Sequence, residues 1–99
     1  MSLLEIVRIP VAPDSADALV AVILDAEHGY LAPPYCVRRE VFQSADRDHV
    51  VAVILWASED AHETAANSEV ARTFFGLVTR NANGDPRIES LVSTPDPAR

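Results

Sequence analysis

Ninety-nine residues, 48% of them hydrophobic and 23% charged, suit one folded domain spanning residues 1–99 and lie well away from the composition of disordered chains. The net charge is −7, with eight arginines and no lysine, so no basic face can displace counterions from phosphates. Nucleic acid is thereby excluded as a partner, and an anionic membrane surface is disfavoured. A single cysteine, Cys36, rules out an internal disulfide, and no Cys/His cluster has the spacing of a zinc site, so no metal is expected.

The N-terminal stretch MSLLEIVRIPV lacks both the basic segment and the apolar core of a secretory signal. The longest uninterrupted apolar run, Val50 to Ala57, is less than half the roughly 20 residues that cross a bilayer. A cytoplasmic location is the resulting expectation.

In chain order, Leu3 to Val11 is rich in β-branched residues, is closed by Pro10 and Pro13, and reads as a first strand. Asp14 or Ser15 can cap a following helix whose apolar positions Leu19, Ile23, Ala26 and Tyr30 recur at helical spacing, with Gly29 and Pro33-Pro34 ending it. Val37 to Gln43 and the run from Val50 flank the polar turn Ser44 to Asp48 and predict an antiparallel hairpin. Beyond Trp56, residues 59–66 read as helix. Asn67-Ser68 interrupts, Ser68 can recap, and Val70, Phe74, Leu77 and Val78 give a second apolar stripe. Asn83-Gly84-Asp85-Pro86 is a turn signal, Arg87 to Ser93 a last strand, and Thr94 to Arg99 an extended or loose tail.

The order β-α-β-β-α-β predicts an α+β, ferredoxin-like domain: a four-stranded antiparallel sheet with helices on one face. If the other face met water, its strands should alternate apolar and polar residues. Val50, Val51, Val53, Ile54 and Leu55 are apolar on both parities. A cover for the second face is therefore expected, most simply the same face of another copy, giving a homodimer.

The stretch VVAVILWASED, from Val50 through Trp56 to Asp60, and the segment from Ala65 to Val70 ahead of Phe74-Phe75, resemble the antibiotic biosynthesis monooxygenase superfamily. Tyr35-Cys36 before the second strand also fits. The resemblance implies a dimeric α+β barrel. It also implies oxidation of a small phenolic, quinol or polyketide-like aromatic by O₂ without metal, flavin or other cofactor. Such chemistry needs a substrate that donates an electron as an anion, a dry aromatic cavity, a group that takes a proton and a donor to the oxyanion. The chain departs from the family where many members carry a histidine, which falls at Ala65, with His62 three positions earlier. The haem-degrading branch of the superfamily places a tryptophan near Ala65 and a histidine near Phe75, and this chain has neither.

The catalytic candidates are His62, Trp56 and Arg8, and the substrate-contacting candidates are Tyr30, Tyr35, Phe74 and Asn67. Each has an ordinary alternative. Trp56 can stack on a ligand or donate to it, or can seal a core with its N–H on a backbone carbonyl. His62 is placed to act as a base, or is a solvated residue among Glu59, Asp60 and Glu63. Arg8 interrupts an apolar strand and can hold an anion, or can pair with Glu40 or Glu89 in a dimer core. Tyr30 and Tyr35 can form a lid or pack under the proline turn, and Phe74 and Phe75 can line a pocket or fill the core. Cys36 is expected to be inert and buried. Two functions remain open: an oxygenase, or a non-catalytic dimeric module that binds a small ligand or acts as a scaffold. An open pocket with convergent polar groups would favour the enzyme.

Overall fold

A computed structural model describes residues 2–94 and shows the expected α+β, ferredoxin-like fold. Strands β1 (Leu3–Pro10), β2 (Cys36–Gln43), β3 (His49–Trp56) and β4 (Arg87–Val92) form one antiparallel sheet in the order β2-β3-β1-β4. Helices α1 (Ala16–Asp25), α2 (Glu59–Ala66) and α3 (Glu69–Asn81) complete the domain, with α1 and α3 packed against each other. Within one chain the sheet is open, with β2 and β4 at its edges. The tail expected over residues 94–99 falls outside the described residues except for Thr94.

Local chemistry explains the boundaries. A 3₁₀ turn at Pro13–Ser15 leads into α1, with neither Asp14 nor Ser15 supplying a capping bond, and a second at Ala26–His28 ends it before Gly29. The first helix is therefore shorter than its apolar spacing to Tyr30 suggests. Ser58, in extended backbone, accepts the Ala61 N–H at 3.0 Å and starts α2. Ser68 works in both directions: its hydroxyl donates to the Ala65 carbonyl at 2.6 Å and accepts the Ala71 N–H at 3.3 Å. That one side chain closes α2 and opens α3. At the α3–β4 turn, Asn83 N–H donates to the Pro10 carbonyl at 2.8 Å. A Cβ on Gly84 would lie 3.0 Å from Pro10 Cγ, so this close approach is made for glycine.

The core lies between the sheet and the helices, where Leu19, Ile23, Val50 and Trp56 are almost wholly buried. Each such aliphatic side chain contributes about 1.5–3 kcal/mol by leaving water. Along β3, burial alternates strictly, with Val50, Ala52, Ile54 and Trp56 inward. The outward set, Val51, Val53 and Leu55, is equally apolar but only half-buried. Register places Leu4, Ile6 and Leu91 beside it on the same face. The second face of the sheet is thus an apolar surface.

Candidate functional site

A cavity of about 310 Å³ lies between the helix-facing side of the sheet and α3. Val7, Ile9, Ala52 and Ile54 form its floor, Phe74, Phe75 and Val78 its roof, and Pro86 and Ile88 its mouth beside β4. The walls are overwhelmingly apolar. Its polar groups are Glu5, His62 and Tyr30, which come from three different parts of the chain. Few, placed polar groups in an apolar hollow are the usual makeup of a small-molecule site.

Glu5 is the charged residue buried in the core, at 7% exposure. An unpartnered carboxylate would be costly to bury. Here Oε1 accepts the Trp56 indole N–H at 2.7 Å, a short bond strengthened by the charge on its acceptor. Antiparallel register explains the contact. Leu3 pairs with Trp56 and Glu5 with Ile54, so Glu5 and Trp56 are diagonal neighbours on one face, within reach of a long side chain. The second oxygen, Oε2, stands 3.5 Å from His62 Nε2. That separation permits electrostatic attraction but is long for a hydrogen bond, leaving Oε2 able to accept another donor.

His62 follows the Ser58 cap on α2, where Ala61 and Ala65 turn inward and Ala66, one turn on, joins His62 in the cavity wall. Its ring meets Trp56 edge-to-face, with centroids 5.1 Å apart. Tyr30 touches Trp56, Phe74 and Phe75 at centroid separations of 5.2, 5.1 and 5.1 Å. Burial, helped by the charge of Glu5, pushes its phenol above the ordinary tyrosine range. Tyr30 therefore remains a neutral hydroxyl donor at physiological pH.

The structure brings together four of the seven residues put forward from the sequence. His62, Tyr30 and Phe74 line the cavity. Trp56 stands behind that wall, fully buried, with its N–H committed to Glu5, a carboxylate rather than a backbone carbonyl. Its N–H holds Glu5, and its ring does not line the cavity. Arg8 needs correction: it lies on the opposite parity of β1, exposed on the open face of the sheet, opposite Val51 and Arg87. The sheet itself separates it from the cavity. Within the single chain, Glu40 meets Arg38 at 2.9 Å and Arg8 has no ion pair among the described residues.

Tyr35 and Asn67 also stand apart from the cavity. Tyr35 is 43% exposed in the turn before β2, joined to the site only through its carbonyl, which accepts the Ala57 N–H at 2.8 Å. Asn67 ends α2 with its side chain in solvent, because the helix break needs its backbone rather than its amide. Cys36 is buried, and loss of water raises its thiol above the usual range, in keeping with an inert residue.

Glu5 is the cavity residue that sequence reading missed, and the signal was present. Leu3, Glu5, Val7 and Ile9 share one parity of β1, and a carboxylate on the core parity demands a partner. Among the described residues no three His, Cys, Asp or Glu side chains converge as a metal-binding group. A shallower groove of about 280 Å³ runs between α1 and α3, sharing Tyr30 and Phe74 with the cavity. Its remaining polar groups, Asp25, His28 and Thr73, come from the outer surfaces of those elements.

Fold and cavity together define a small ferredoxin-like domain that encloses a hollow under its sheet. Over residues 2–77 the chain matches the family described as antibiotic biosynthesis monooxygenase, and it belongs to that family. Solved structures with the same fold include Rv0793 from Mycobacterium tuberculosis, with TM-score 0.80, 18% identity, and 98% of this chain and 99% of that one covered. A candidate antibiotic biosynthesis monooxygenase from Caulobacter crescentus CB15 superposes with TM-score 0.82 at 21% identity, over 95% and 91% of the two chains. A Bacteroides thetaiotaomicron protein of unknown function, described as a possible oxidoreductase, gives TM-score 0.78 at 13% identity, over 91% and 95%. No curated protein matches the sequence. At these identities the likeness establishes the fold.

Proposed function

We propose that the chain is a cofactor-independent monooxygenase that oxidises a small phenolic, quinol or polyketide-like aromatic with O₂, acting as a homodimer joined through the open sheet face. The observation that carries this reading is the meeting of Glu5, His62 and Tyr30 at the wall of an apolar cavity of about 310 Å³. Family membership and the size of the cavity support it. For an anthrone-type substrate, the ring methylene and O₂ give a carbonyl and water. Glu5, with His62 beside it, takes the proton whose loss makes the substrate an electron donor. The Tyr30 hydroxyl stabilises the oxyanion, and the apolar walls exclude water.

An oxygen electrode with a panel of hydroquinones and anthrones tests the proposal. Uptake above the uncatalysed rate is expected for the wild-type protein, with a fall of roughly 10²–10⁴-fold in Glu5→Gln, His62→Ala. Background uptake by the wild type, or unchanged uptake in the variant, would sink it. A second reading is a dimeric module that binds such a ligand without turning it over. It is favoured by the commitment of the Trp56 N–H to Glu5 at 2.7 Å, which removes one donor that an oxyanion could have used. Tight binding with no uptake would select it.

A further inference from the structure

We propose that Glu5 sets the charge specificity of the cavity: it admits neutral aromatic ligands that present a hydroxyl hydrogen to the carboxylate, and turns away anionic ligands of the same shape. The inference rests on the cavity being a small-molecule site. It concerns binding alone, so it stands or falls separately from turnover.

Three ionisable side chains line the cavity among the described residues: Glu5, His62 and Tyr30. Tyr30 is held protonated by burial. The remaining pair has a net charge of zero if His62 carries a proton and of −1 if it does not, so in neither state does the wall offer a surplus cation. Arg8, the cation nearest in sequence, lies exposed on the other face of the sheet. A ligand carboxylate or sulfonate would therefore lose its hydration beside a like charge, with no surplus cation in return and the Tyr30 hydroxyl as its one neutral donor.

Geometry selects the other half of the rule. Oε1 is occupied by the Trp56 N–H at 2.7 Å, which fixes the carboxylate plane, while Oε2 has only His62 at 3.5 Å and can accept a hydroxyl hydrogen. A cationic ligand would pair with Glu5, but its ammonium carries a larger desolvation cost than a hydroxyl and meets a single carboxylate in the wall. A neutral hydroxyl carries the smaller desolvation cost and still meets the free oxygen.

Calorimetric titration at pH 7 under argon, with 2-naphthol, 2-naphthoate and 2-naphthylmethylammonium as probes, tests the inference. For the wild-type protein 2-naphthol should bind at least about tenfold more tightly than 2-naphthoate, and more tightly than the ammonium probe. In Glu5→Gln, which keeps the shape and an acceptor for the indole, the naphthol–naphthoate gap should shrink to within about threefold. Trp56→Phe retains the carboxylate and should retain the gap, even with weaker binding overall. Equal affinities in the wild type, a gap that survives Glu5→Gln, preference for the ammonium probe, or no binding of 2-naphthol would each overturn the inference. Intact naphthol preference without oxygen uptake would leave the charge rule standing and remove only turnover.

Discussion

The two faces of the sheet carry nearly the same kinds of side chain and have opposite roles. Under the helices, Ala52, Ile54 and Trp56 are sealed around a buried carboxylate and a cavity. On the other side, Val51, Val53 and Leu55 form an apolar surface whose charges, among them Arg8, Arg38 and Glu40, stand exposed or half-exposed. A charge on the first face has to be partnered within the chain, whereas a charge on the second, in a single chain, meets solvent. Parity along a strand therefore matters more to function than residue type, as Glu5 and Arg8 illustrate: three residues apart on β1, they face opposite ways.

Adjacent substitutions in β3 separate the faces most sharply. Ala52→Asp places an unpartnered charge in the core, where the cost of several kcal/mol is comparable with a domain's whole stability, and the chain should not fold. Val53→Asp points outward and should leave a folded chain, with circular dichroism close to that of the wild type. If the open face joins two copies, sedimentation at micromolar concentration will give a dimer for the wild type and a monomer for Val53→Asp. A wild-type monomer would remove the dimer from the account without touching the cavity.

A milder change probes the buried face alone. Trp56→Phe removes the indole N–H and leaves Glu5 Oε1 without its 2.7 Å donor, at a cost of about 1–3 kcal/mol. Thermal melting should fall by roughly 4–24 °C for a domain of this size. Trp56→Phe combined with Glu5→Gln should be less destabilised than Trp56→Phe alone, because the orphaned charge is gone. If the double variant melts lower than Trp56→Phe, the bond between the two does not hold the site together.

The smallest expected effect lies far from both faces, in the β2–β3 turn. Hydrogen bonds from His49, at 3.0 Å, and from Ser44, at 2.9 Å, hold the Asp48 carboxyl down to about 2. A carboxyl depressed in the folded state stabilises it above the unfolded value near 3.9, and that contribution is lost as pH falls toward 2. Asp48→Asn should therefore lower the urea midpoint slightly at pH 6, and the difference from wild type should shrink progressively as pH falls through about 2. A gap that persists unchanged at pH 2 would assign the turn's contribution to packing instead.

Much of the fold was legible because punctuation and periodicity agreed along the chain. The apolar stripe of α3, the Ser68 restart and the Asn83–Pro86 turn each specify one local structure, and those structures are mutually compatible. The site was legible only in part. His62, Tyr30 and Phe74 could be named because they flank the tryptophan-ended strand or repeat at helical spacing. Their meeting with Glu5 depends on the β1–β3 register, which brings Glu5 beside Trp56 across 51 positions of sequence. Tyr35 and Asn67 were misplaced for a simpler reason: a turn and a helix break use their backbones and turn their side chains to water.

The central claim is that the cavity beside Glu5, and not the open face or the outer groove, receives the ligand. Amide and indole NMR shifts recorded while 2-naphthol is titrated under argon test it most directly, since Trp56 is the one tryptophan and its indole N–H reports on Glu5. The account predicts a large shift of that indole signal together with the amides of Ile54, His62 and Phe74. Shifts confined to Leu4, Val53 and Leu91, or to Val22, Thr73 and Leu77, with the indole unmoved, would contradict it.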